Sequence, residues 1–225
     1  MDFVDEVKRG LARLASVDGD RKIFGASGHQ YQLNPALSVD QVADFERTWR
    51  CRLPEDYRTF LLQLGNGGAG PYYGVFPLGK AHSGFDLVEY TTWGFDLGAP
   101  FPHSRKWNDE SLLKKGAPLE RDFDSYEDFE EAMEAWQESE AGFKARDSYY
   151  DAAGTGQGSF PICHHGCGFV DWLVVTGPEA GHVWHDLAPD QGGVMPVGNA
   201  ARPRTTFSQW YLDWLRATLA ELGAG

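Results

Sequence analysis

Cationic side chains are scarce: 20 Lys and Arg stand against 33 Asp and Glu in 225 residues, a formal charge of −13. Gripping phosphates takes clustered Lys and Arg, so this balance argues against a nucleic-acid-binding face and against attachment to an anionic leaflet. Cysteine is also sparse, and the three present are an odd number of which only Cys163 and Cys167 lie close together. A disulfide framework needs denser, even usage, so a reducing cytoplasm is expected. The opening Met1-Asp2-Phe3-Val4-Asp5-Glu6 lacks the positive and apolar regions of a secretory signal. No apolar run is long enough to span a bilayer; the longest candidate, Phe169 to Val175, is interrupted by Asp171. A nucleophile elbow is missing too, because Ser159 follows the second glycine of Gly156-Gln157-Gly158 instead of sitting between two. No persuasive catalytic set emerges. The expectation is a non-enzyme without a cofactor.

What is abundant is core-forming material: 42% hydrophobic and 14% aromatic residues, which excludes intrinsic disorder. Phe3, Val7, Leu11 and Leu14 have helical spacing and predict a helix over 2–15. Ser38 stands three before Gln41, a capping-box signature, and Val42, Phe45 and Trp49 continue with helical spacing. Pro54 suits a helix's first turn, so a further helix runs through Tyr57, Phe60, Leu61 and Leu64 until Gly65-Asn66-Gly67-Gly68 ends it. The aromatic, proline-punctuated stretch Pro71 to Leu78 reads as an edge or bulged strand. Residues 80 to 120 look irregular, and Ser125 to about Arg146 looks helical. Phe169 to Thr176 and His182 to Asp186 flank a turn and predict a hairpin, with His182 and Trp184 on one face and His185 on the other. A last helix begins near Thr206. Helices around a strand-rich middle predict an α+β fold with one mixed or antiparallel sheet, formed by a single domain over 1–225.

Three motifs tempt a chemical reading. Gly65 to Gly70 spells G-x-G-x-x-G, but a helix precedes it and a strand follows, the reverse of a dinucleotide site. Gly74 to Lys80 resembles a phosphate loop without the magnesium-binding hydroxyl or the helix that must follow. Cys163-His164-His165-Gly166-Cys167 is sharper, since thiolate and imidazole suit zinc, and Cys163, His165 and Cys167 are the candidate ligands. The Cys-x3-Cys spacing is not that of a usual zinc knuckle, and a buried cysteine with packed or pocket-lining histidines is the plainer reading.

The negative charge is concentrated. Residues 120 to 140 hold ten acidic side chains and one Arg, a net −9 within the whole chain's −13. Tyr126, Phe129, Met133 and Trp136 make an apolar stripe there, which places Glu127, Glu131, Glu134 and Glu138 on the opposite face. Like charges four apart cost a helix a few tenths of a kcal/mol each, where Lys would have gained about as much. A solvated face explains most charge runs. A ridge of one sign also gives fast, salt-sensitive capture of a basic partner.

The segment Leu53-Pro54-Glu55-Asp56-Tyr57-Arg58-Thr59-Phe60-Leu61-Leu62, ending in Gly-Asn-Gly-Gly-Ala-Gly-Pro-Tyr-Tyr-Gly, resembles the SUKH superfamily of Smi/Knr type. So do Ile162 to Phe169 with Leu173 to Pro178 and Gly181 to Trp184, and the closing Phe207 to Leu215. The resemblance implies one sheet flanked by helices. For bacterial members it implies an immunity protein that neutralises a cognate toxin, often a nuclease, and for fungal relatives regulation through protein contacts. It supplies no catalytic residues. Residues 80 to 155 would be an insert carrying the acidic helix, a plausible place for partner specificity. The expected partner is a toxin with a basic surface, met by Glu127, Glu131, Glu134 and Glu138 and then by Tyr72, Tyr73, His164 and His165. The alternatives are a scaffold or regulator without a toxin, and a zinc enzyme built on Cys163 to Cys167.

Overall fold

A computed structural model describes residues 2–80 and 95–223. Its first half is helical. Helix α1 (Phe3–Val17) buries Val4, Val7, Leu11 and Leu14, and a single turn, α2 (Ala26–His29), follows. Helix α3 (Val39–Trp49) starts at the expected capping box: Ser38 Oγ accepts from the Gln41 amide, and the Gln41 side chain accepts from the Ser38 amide. Pro54 precedes α4 (Glu55–Gln63), which buries Tyr57, Phe60 and Leu61.

The second half contributes a sheet of four antiparallel strands in sequential order, β1 (Ser159–Gly166), β2 (Phe169–Val174), β3 (Val183–Asp186) and β4 (Val194–Pro196). The sheet with its helices is the α+β fold expected, and β2 with β3 is the expected hairpin. Helix α7 (Phe207–Glu221) closes the chain behind a second capping box, between Thr206 and Gln209.

Each sheet face has its own cover. Phe160, Ile162, Leu173 and Val183 pack into the main core with residues of α1, α4 and α7, such as Leu14, Phe60 and Tyr211. Val174, Trp184 and Val194 form a smaller core with Phe101, Ala153 and Trp107. Neighbours along a strand point to opposite faces, so Leu173 and Val174 serve different cores. Helices α5 (Tyr126–Gln137) and α6 (Glu140–Ala153) lie before the sheet in sequence. Tyr149 of α6 is fully buried, and its hydroxyl donates to Asn108 Oδ1 at 2.7 Å.

Two expectations need correction. Pro71 to Leu78 is not a strand: Val75 makes single bridges to Gly68 and Cys163, while the chain turns at Tyr72 and Gly74, both with positive φ. Pro71 and Pro77 have no N–H to give a ladder. The helix expected from Ser125 to Arg146 is two helices, because Ser139 caps α6 by accepting from the Gly142 amide. Of the stretch expected to be irregular, residues 81–94, with Trp93, lie outside the described residues.

Candidate functional site

The glycine run after α4 closes a loop and holds no nucleotide-binding turn. Gly68 and Val75 exchange both backbone hydrogen bonds at 2.8 Å, and the Tyr211 hydroxyl donates to the Ala69 carbonyl at 2.7 Å. Gly68 has φ 105°, and a Cβ there would meet the Gln32 carbonyl oxygen at 2.6 Å. Only glycine fits so close an approach. The loop thereby presents Pro71, Tyr72 and Tyr73 beside the end of β1.

Four of the sequence-picked residues meet there. The Tyr72 ring stacks on the His165 imidazole with centroids 3.8 Å apart, and Tyr73 stacks on His164 at 5.7 Å. Phe24 joins them edge-on to Tyr73 at 5.0 Å. Phe24 and Tyr73 are each 56% exposed and Tyr72 is 40% exposed, which makes an aromatic patch on the surface. Phe24 was not legible as a member, since its place depends on Asp18. That buried carboxylate accepts from the amides of Lys22 at 2.8 Å and Ile23 at 3.2 Å and from the Tyr31 hydroxyl at 2.6 Å.

Beneath the patch lies a polar cluster. Asp171 of β2 is fully buried, and its register partner across the sheet is His185 of β3. His185 Nδ1 contacts Asp171 Oδ1 in a short hydrogen bond. The Trp210 indole N–H donates to Oδ2 at 2.9 Å. His165 Nε2 lies 3.0 Å from the same oxygen but off the angle a hydrogen bond requires. Burial pushes the Asp171 carboxyl up, and the two imidazoles more than cancel that, leaving it below its ordinary range. Burial alone would lower His185, but its bond to Asp171 prevails and raises it. A cavity of about 730 Å³, lined among others by Tyr72, Asp171, His185, Trp210 and Trp214, opens beside the cluster. The sequence offered Asp171 only as the residue that interrupts an apolar run.

The zinc candidates do not assemble. Cys163 is buried with its thiol donating to the Pro71 carbonyl at 3.1 Å, and burial pushes that thiol well up. Cys167 is exposed in the turn after β1, with φ 52°. The β1–β2 turn carries the second cysteine away from the first, so Cys163, His165 and Cys167 form no ligand set. His165 belongs with Asp171 and His185.

The acidic residues occupy a different element. Glu127, Glu131 and Glu134 stand on α5 and Glu138 follows its last residue, and all four are exposed. None of the four is in an ion pair among the described residues; the nearby Arg121 pairs with Asp122. The opposite face is covered in part: Phe129, Met133 and Trp136 are half-buried, whereas Tyr126 is 60% exposed.

The sequence model of the SMI1 / KNR4 family (SUKH-1) matches residues 36–197. The chain belongs to that family. The SUKH-1 match runs from just before α3 to just after β4, so it takes in the Tyr72 loop, α5 and all four strands. Helix α7, which supplies Trp210, lies beyond it. SUKH-1 proteins are known as immunity proteins in toxin systems. No curated protein and no solved structure matches the chain. Among the described residues no helix is long and apolar enough to cross a membrane.

Proposed function

We propose that this SUKH-1 chain is a non-catalytic immunity protein, acting as one domain in the cytoplasm, that binds a cognate toxin and neutralises it by covering its working surface. The observation that carries the reading, beyond family membership, is the exposed face of α5. It displays Glu127, Glu131, Glu134 and Glu138, none of them in an ion pair among the described residues. A toxin that acts on nucleic acid must itself accept phosphates on a basic surface, and an acidic ridge competes for that surface. The aromatic patch of Phe24, Tyr72 and Tyr73 supplies a second kind of contact, since large amphipathic rings anchor interfaces. Co-expression with a toxin domain encoded beside this gene tests the reading. Growth should be restored and the two proteins should co-purify. Persistent toxicity, with no complex at micromolar concentrations, would favour a regulator that has no toxin partner.

A further inference from the structure

We propose that His165, Asp171 and His185 form a binding site for one divalent transition-metal ion of the zinc class. The three side chains come from three adjacent strands, and their ligand atoms all lie within 4.8 Å of one another. Strands hold such groups more firmly than loops do. Two imidazoles and one carboxylate are a donor set that zinc and related ions favour, with further positions left for water. A tetrahedral ion with bonds of about 2.0–2.2 Å sets its ligand atoms about 3.4 Å apart. His165 Nε2 lies 3.0 Å from Asp171 Oδ2 and all three ligand atoms fall within 4.8 Å, while the shorter contact between His185 and Asp171 must open to admit an ion.

Three further features separate the cluster from an ordinary buried hydrogen-bond network. First, the fully buried Asp171 carboxylate gathers both imidazoles around it, so one cation placed between them would meet its negative charge as well as their lone pairs. Second, His165 Nε2 is buried 3.0 Å from the carboxylate without a well-aligned hydrogen bond to it. A metal ion would take up the lone pair of that nitrogen. Third, outer contacts already orient the donors: Trp210 fixes the carboxylate and the Tyr72 ring lies flat on His165. Metal ligands are commonly held in this way. The cavity beside Asp171 and His185 gives an ion its entry path and room for a water ligand. Binding at His185 Nδ1 and His165 Nε2 places the remaining ring protons on His185 Nε2 and His165 Nδ1. This inference is independent of any toxin.

The test uses the full chain stripped with chelator and titrated with Zn²⁺ by calorimetry and with Co²⁺ by visible absorption. One equivalent should bind, and the Co²⁺ form should show the intense visible band of a low-coordinate site together with paramagnetically shifted imidazole N–H resonances from two histidines. His165→Ala and His185→Ala should each weaken binding at least about tenfold. Cys163→Ser and Cys167→Ser should leave it unchanged. The paramagnetic shifts are read on the wild-type chain, so the site is tested even if a variant fails to fold. Failure to bind one equivalent, binding that persists in both histidine variants, or binding lost with the cysteines would each overturn the proposal.

Discussion

The indole N–H of Trp210 donates to Asp171 Oδ2 at 2.9 Å, tying the last helix to the second strand of the sheet through a fully buried carboxylate. A hydrogen bond to a charged group contributes about 1.5–3 kcal/mol. Trp210→Phe keeps an apolar ring but removes the donor. Chemical denaturation should show a loss of stability in that range. An unchanged midpoint would mean that the carboxylate finds another donor at no cost.

Asp18 sets the loop that carries Phe24, and its effect should depend on pH. Burial raises its carboxyl, but hydrogen bonds from the Tyr31 hydroxyl and the Lys22 and Ile23 amides prevail and hold it below 3.8. A depressed carboxyl stabilises the fold above its unfolded value and loses that contribution as pH falls through the folded value. Asp18→Asn should therefore be clearly less stable than wild type near neutrality. The gap in melting temperature should narrow on acidification below about pH 4. A gap that stays constant with pH would assign the effect to packing instead.

The three thiols should react unequally. Burial, followed by the charge of Glu46, pushes Cys51 up to about 12, and burial pushes Cys163 well up, whereas Cys167 is exposed. Thiolate is the reactive form. A disulfide reagent at neutral pH should titrate one thiol quickly and all three only after unfolding. Rapid modification of two or three in the native protein would contradict this placement.

Gly25 sits under the aromatic patch at φ 81°, where a Cβ would meet the Tyr72 carbonyl oxygen at 1.6 Å. Gly25→Ala must move one loop or the other. Its predicted signature is a stability loss of about 1–3 kcal/mol and a change in the near-ultraviolet dichroism of the tyrosines. An unaltered spectrum and midpoint would show that the Phe24 and Tyr72 loops are not held against each other.

Local signals were the readable part of the fold. The capping boxes at Ser38 and Thr206 and the apolar spacing of Val7, Leu11 and Leu14 act over one or two helical turns, and the structure keeps them. Ser139 was missed as a cap because the acidic and apolar spacing runs on across it. Strand β1 was missed because its bulges, between Pro161 and Cys163 and between His164 and Gly166, break the two-residue alternation. Strand β4 is only three residues long. Of the site, the sequence marked Tyr72, Tyr73, His164 and His165, which are neighbours in chain pairs. It could not show that His165, Asp171, His185 and Trp210 converge, because that depends on strand register and on where α7 docks.

The most direct measurement is the rate at which the purified chain captures its toxin, followed by stopped flow over a series of salt concentrations. Electrostatic steering raises association rates by about 10–1000-fold and fades as salt screens it. Replacing Glu127, Glu131, Glu134 and Glu138 together by Gln should slow association at low salt by at least about tenfold and flatten its salt dependence. The dissociation rate should change far less. An association rate equal to wild type at low salt would contradict capture through the acidic helix.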